Sequence, residues 1–371
     1  DSYGKLRFVS GINPQSFSME LTPETHFDTP EAVFSYSSNG YGGLSRQLHS
    51  FIREHIVRGV WKKSPRPVLL NSWEACYFKI DERKLLQLAK AGAGVGIELF
   101  VMDDGWFLER NDDTSSLGDW EPDPKKLPGG IASLSKKIKA MGVDFGLWVE
   151  PEMISENSCL YREHPDWTMT IPGHPHSEGR NQRLLDLCNP EVQQYVIDSM
   201  TKVFSSGDIG YVKWDMNRNF CDIYSPYLPA AQDARNGKAD QAKQGETAHR
   251  YVLGLYHIMD ELTTRFPEIL FEGCSSGGNR FDLGILSYFP QIWASDNTDA
   301  LCRTEIQNSY SYGYPLSVFT AHVSSCPNHQ TLRITPLETR FQVASFGVLG
   351  YECNLKDLSG SDLNAIREQI A

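Results

Sequence analysis

The chain has 371 residues, 40% of them apolar, enough to bury one large α/β barrel or two ordinary domains. A net charge of −12 and a pI near 5.3 argue against a broad polyanion-binding surface, so nucleic acid is not an expected partner. No apolar run reaches the ~18–20 residues of a membrane span, so no membrane partner is expected either, and no signal-peptide pattern is present.

The chain starts at Asp1, which reads as a processed or excised piece. Residues 5–37 hold three strand-like runs, LRFVSGI, SFSMEL and AVFSYS, separated by Pro, Asn and Thr. They are too few for an independent sheet and read as the end of a larger β module. Leu44, Leu48, Phe51, Ile52, Ile56 and Val57 recur at helical spacing and predict a helix over 43–58. From about 67 onward, short apolar strands alternate with amphipathic helices. The predicted strands are 67–73, 98–104, 144–151, 183–188, 211–217, 269–274, 291–296 and 315–322. The predicted helices include 81–93, 131–141, 190–205, 246–265, 301–311 and 335–349, with Asp81 capping the first and Pro190 at the first turn of another. Nearly all-apolar strands alternating with helices are the pattern of a parallel (β/α)8 barrel, a TIM barrel. A doubly wound open sheet is the alternative, but no GxGxxG follows the first strand. Residues 222–247 are polar and read as a long insertion over the barrel mouth. This gives a linking and β-rich segment over 1–60 and a catalytic barrel over 61–371.

The eight cysteines are scattered without a CxxC pair, as expected of reduced thiols in a cytoplasmic protein. His174 and His176 lie in a Pro/Gly-rich stretch with no carboxylate or Cys cluster, so no metal site is expected there.

The segment Tyr211–Arg218, YVKWDMNR, concentrates the chemistry. On a strand, Lys213, Asp215 and Asn217 share one face, while Val212, Trp214 and Met216 share the other. An ammonium, a carboxylate and an amide together at a strand end are costly to bury. A structural Lys–Asp pair bracing a loop is the competing reading. The rest of the chain weighs against it, because polar groups recur at the strand ends. These are Trp73–Glu74, Asp103–Asp104–Gly105–Trp106, Trp148 with Glu150 and Glu152, Asp186, Glu272 with Cys274, Asp296 and His322. In a barrel those ends converge on one face, where catalytic groups sit. His is too scarce there for a metal hydrolase, whereas two carboxyls with aromatic platforms suit glycoside cleavage.

The strings DDGW (103–106), GRNQ (179–182), KWDMNR (213–218), EGCSSGG (272–278) and WASDNTDA (293–300) occur in that order. With them the chain resembles glycoside hydrolase family 36, the α-galactosidases, from a remnant of the N-terminal β-sandwich module to the end of the barrel. The resemblance implies a retaining enzyme that removes terminal α-linked galactose from oligosaccharides such as melibiose and raffinose. It needs no cofactor or metal, and its full-length form is a homo-oligomer. The roles it implies are Asp215 as nucleophile and Asp296 as acid/base. Asp103 and Asp104 would hold the 4- and 6-hydroxyls, and Lys213, Asn217 and Arg180 would lie at hydroxyl-binding positions. Cys274 and Gly277 would form the wall near the 2-hydroxyl, with Trp73, Trp148 and Trp293 as aromatic contacts. The long interval between the two aspartates is a departure from the family's pattern. Galactosyl transfer of the raffinose- or stachyose-synthase kind, α-N-acetylgalactosaminidase activity and a non-catalytic galactoside-binding barrel remain as alternatives.

Physical chemistry adds three expectations. Lys213 on the same face should keep Asp215 ionised, and Asp215 with burial should keep Asp296 protonated. Trp214 should only pack. Asp299, beyond the strand end, should cap a helix.

Overall fold

A computed structural model of the chain describes residues 3–228 and 241–371. The strands are β1 (Leu69–Asn71), β2 (Leu99–Met102), β3 (Asp144–Val149), β4 (Met153–Ile154), β5 (Arg183–Leu184), β6 (Tyr211–Trp214), β7 (Leu270–Gly273), β8 (Gln291–Trp293), β9 (Phe319–Ser324) and β10 (Val348–Glu352). Eight of them close a parallel barrel in the order β1-β10-β9-β8-β7-β6-β3-β2, so the fold is a (β/α)8 barrel. The helices outside it include Glu82–Ala93, Gly130–Lys139, Pro190–Phe204, Thr247–Arg265, Ala300–Ser311, Leu337–Ala344 and Gly360–Ile370. Asp81 accepts from the Lys84 amide and Asn189 from the Glu191 amide, with Pro190 in the first turn, so both predicted starts form.

The barrel membership differs from the sequence reading at one strand. Residues 183–188 are not a barrel strand. Arg183 and Leu184 pair antiparallel with β4 outside the barrel, and Leu185 bridges Thr168. An apolar run of that length has no periodicity that separates a barrel strand from a short clasp. The eighth barrel strand is β10, whose first two residues the sequence reading placed at the end of a helix over 335–349 and whose rest it left unassigned. That helix stops at Ala344, and the chain turns back through Phe346 and Gly347. Gly350 is needed in the strand because a Cβ there would lie 2.6 Å from the His322 ring and 3.0 Å from Leu69.

The strands expected within 5–37 do not form, and nearly all of residues 3–39 are exposed. Isolated strands without a sheet to join are not stable. Ser18 bonds Gly245, and Phe17 and Phe27 pack on His249. The helix expected over 43–58 is Gly40–Phe51, continued by a π turn at Ile52–Ile56. The insertion read over 222–247 lies partly outside the described residues, at 229–240. Among the described residues no helix is long and apolar enough to cross a membrane.

Two apolar regions result. A large core fills the layer between strands and helices, and a small one (Leu69, Leu99, Val101, Tyr211, Leu270) plugs the interior toward the N-terminal ends of the strands. Above that plug the interior turns polar.

Candidate active site

Residues paired across a parallel barrel point to the same side. Trp148, Lys213 and Glu272 are in register on neighbouring strands, and Glu272 pairs with Gln291. This brings a ring of polar side chains into the interior at the C-terminal ends. At that end opens a cavity lined by Trp148, Lys213, Asp103, Asp104, Asp215 and Asp296 among others.

Asp215 follows β6 at the cavity wall. Its Oδ2 accepts from Asn217 Nδ2 (2.6 Å) and Trp148 Nε1 (3.1 Å), and its Oδ1 accepts from the Met216 amide (2.8 Å). Burial would raise this carboxyl, but Lys213 and the donors on Cys274, Asn217 and Trp148 outweigh it. The carboxyl is held below the ordinary aspartate value and stays ionised. Lys213 does not pair with Asp215 directly. Its Nζ lies 2.9 Å from Asp103 Oδ2. Burial would lower the ammonium, but Asp103 and more distant negative groups hold it well above its ordinary value.

Asp296, past the end of β8, keeps an open side toward the mouth. Its Oδ1 accepts from Trp293 Nε1 at 2.8 Å. Burial of the carboxyl and the charge of Asp215 raise it above the ordinary value, with Lys213 and Trp293 acting in the other direction. Two of the three tryptophans expected as aromatic contacts, Trp148 and Trp293, therefore also donate one indole N–H each, to Asp215 and Asp296. Trp293 is backed by the Arg303 guanidinium, 4.5 Å from its centroid.

Asp103 and Asp104 both reach the cavity because β2 ends at Met102 and Gly105 takes φ +105°. Asp103 Oδ2 also accepts from Asn71 Nδ2 at 2.7 Å. Asp104 is gripped by Arg110, with Nη2 2.8 Å from Oδ2 and Nε 3.0 Å from Oδ1. Burial pushes the Asp104 carboxyl up, and this grip opposes the push.

Trp73, Arg180, Asn217 and Cys274 also line the cavity. Arg180 is exposed at the mouth and makes no hydrogen bond or ion pair among the described residues. Gly277 does not line it. At φ +88° it packs behind Asp296, where a Cβ would lie 2.9 Å from Ser295 Cα. Trp214 faces outward, fully buried, with its indole bonded to Glu152. Asp299 caps the Ala300–Ser311 helix through the Leu301 and Cys302 amides. Trp106, Glu150, Glu152, Asp186, Glu272 and His322, strand-end groups named from sequence, stay out of the cavity. Asp186 binds Ser225 and the Cys188 amide, Glu272 binds Gln291, and His322 lies beneath Trp293.

Glu74, named from sequence as a strand-end acid, lines the cavity, and the structure adds Thr298, His329, Gln330 and Glu352. Glu352 was missed with its strand; an acid at a strand end just before the Asn354 cap was the available signal. Burial pushes the Glu352 carboxyl up and the His322 ring down, and the two meet at 2.8 Å. His329 and Gln330 sit on a loop with no local pattern that marks them.

The profile of the family described as Melibiase matches residues 26–371. The chain is 48% identical, over all of its length and 49% of the relative's, to "Alpha-galactosidase AgaA" of Geobacillus stearothermophilus. It is 47% identical to "Alpha-galactosidase Mel36A" of Lactobacillus acidophilus, again over its full length and 49% of that protein. The crystal structure of GH36 alpha-galactosidase AgaA superposes with a TM-score of 0.93 at 49% identity, over 97% of this chain and 49% of that one. A variant of AgaA in complex with raffinose superposes equally well, at 0.93 and 48% identity over 97% of this chain and 49% of that one. The chain thus spans about half the length of the curated relatives it matches.

Proposed function

The chain belongs to the Melibiase family, with glycoside hydrolase family 36 α-galactosidases as its relatives, and from that premise we propose that it carries the catalytic site of a retaining α-galactosidase. One observation supports the reading most. Two carboxyls on the same cavity are biased in opposite directions, Asp215 toward ionisation and Asp296 toward protonation.

In the proposed reaction Asp215 attacks the anomeric carbon while Asp296 gives its proton to the glycosidic oxygen. The C–O bond to the leaving group breaks, and a galactosyl–Asp215 ester forms. Asp296, now ionised, takes a proton from water as the water attacks the anomeric carbon. Galactose leaves with Asp215 ionised and Asp296 protonated again. A retaining enzyme of this kind needs its carboxyls ~5–5.5 Å apart. The locked pair Asp103 and Asp104, with Lys213 and Arg180, would receive the sugar hydroxyls. A site built to bond an axial hydroxyl penalises the epimer that leaves its buried carboxylate unpaired. Because AgaA variants are complexed with raffinose and stachyose, the same small α-galactosides are the proposed substrates.

The test is release of an aryl aglycone from an aryl α-galactoside, with galactose identified as the α-anomer at first release. Release of the β-anomer, or no turnover while the matched α-glucoside is cleaved, would count against the reading.

A further inference from the structure

Two acids follow β3 in the string VEPEM, and the barrel treats them differently. Glu152 is fully satisfied: Arg280 Nη1 lies 2.7 Å from Oε1, with Trp214 and Tyr251 donating as well. Glu150, equally buried, has no cation in contact among the described residues. Its Oε1 accepts from Gln182 Nε2 at 2.7 Å and from the Asn217 amide. Its Oε2 has no partner, and the Oε1 of the same Gln182 has none either. Two orphaned oxygens, one on each partner of a single buried contact, are the arrangement that one missing proton repairs.

We propose that Glu150 is a neutral carboxylic acid that donates from Oε2 to Gln182 Oε1, closing an acid–amide pair that positions Asn217 on the nucleophile. The inference rests on Asp215 being that nucleophile. Asn217 links the two: its amide bonds Glu150, its Nδ2 bonds Asp215, and its Oδ1 accepts from Ser276. The surrounding charges agree. Burial first, and then Asp215 on the neighbouring strand end, push the Glu150 carboxyl up to about 8. The Asn217 amide, Arg110 and Arg180 pull less strongly the other way; Arg110 is already engaged by Asp104, and Arg180 lies at the open mouth. A neutral acid here also spares Asp215 a second negative charge behind it.

Glu150→Gln reproduces every bond of the protonated form, its NH2 replacing the acid O–H. In infrared difference spectra at acidic to neutral pH, the wild type should show a protonated-carboxyl C=O band that Glu150→Gln lacks. If no such band is lost, the proposal fails, whatever the activity. Glu150→Ala should lower kcat by roughly 10- to 100-fold with little change in KM, and Glu150→Gln should restore it to within about threefold of wild type. A Glu150→Gln variant that melts as wild type but turns over no better than Glu150→Ala would show that an ionised carboxylate is needed, and would overturn the assignment. The infrared result is independent of substrate, so it separates this inference from the α-galactosidase reading.

Discussion

The two faces of β6 differ more than any other adjoining parts of the molecule. On the outer face Trp214 is buried against Phe289, 5.6 Å between centroids, and its one polar atom is paired to Glu152. On the inner face Lys213, Asp215 and Asn217 line an open cavity, Lys213 paired with Asp103 and Asn217 donating to Asp215. The backbone is shared and the residues are consecutive. The outer face is therefore optimised for packing, while the inner face holds charge imbalance in place for a ligand. Stability and chemistry should separate by face, and substitutions can test that separation.

The largest effect is expected at Asp215. Asp215→Asn should cut turnover by roughly 10⁴-fold or more while the protein still folds cooperatively, since the change removes a charge and little volume. In Asp215→Gly, azide should restore turnover and yield β-galactosyl azide; wild-type activity in either variant without azide would break the inner-face assignment. Asp296→Asn should cost roughly 10²–10⁴-fold, less for aryl galactosides whose leaving group needs no proton. An equal loss on aryl and sugar leaving groups would argue against Asp296 as the acid.

The outer face should respond in the opposite currency. Trp214→Ala leaves a large cavity between β6 and Phe289 and should lower stability by about 3–5 kcal/mol, as measured by denaturant unfolding. KM and kcat of the folded fraction should stay within a few-fold of wild type. A Trp214 variant with normal stability and lost turnover would erase the contrast between the faces.

The same contrast explains how far the sequence could be read. Period-2 alternation separated Lys213, Asp215 and Asn217 from Trp214 without coordinates, because a strand leaves side chains no other choice. The cap at Asp81 and the helix start at Asn189–Pro190 were legible because both depend only on local bonds. Long-range closure was not. The runs 183–188 and Val348–Glu352 are both short and mixed in polarity, and only the pairing of β10 with β1 and β9 decides which joins the barrel. Losing β10 also lost Glu352 from the site. The N–H donors of Trp148 and Trp293 were not legible either, because an indole that stacks and one that donates look the same in a sequence.

The smallest expected effect is the most discriminating, because it reads the electrostatics of the inner face rather than its presence. Turnover requires Asp215 ionised and Asp296 protonated. It should rise with pH through the depressed Asp215 titration and fall through the raised Asp296 titration, giving a bell. Lys213 lowers both carboxyls. In Lys213→Met each should therefore move up, and both limbs of the kcat/KM profile should shift to higher pH together rather than narrowing the bell. The variant also leaves Asp103 buried beside Asn71 without its cation, which should cost about 3–5 kcal/mol of stability, so the profile is measured well below the melting temperature. Trp214→Phe, one residue along on the other face, should move neither limb. If Lys213→Met left the acidic limb in place, Lys213 would serve to anchor Asp103 alone. The ionisation of Asp215 would then rest on the hydrogen bonds from Trp148, Asn217 and Cys274.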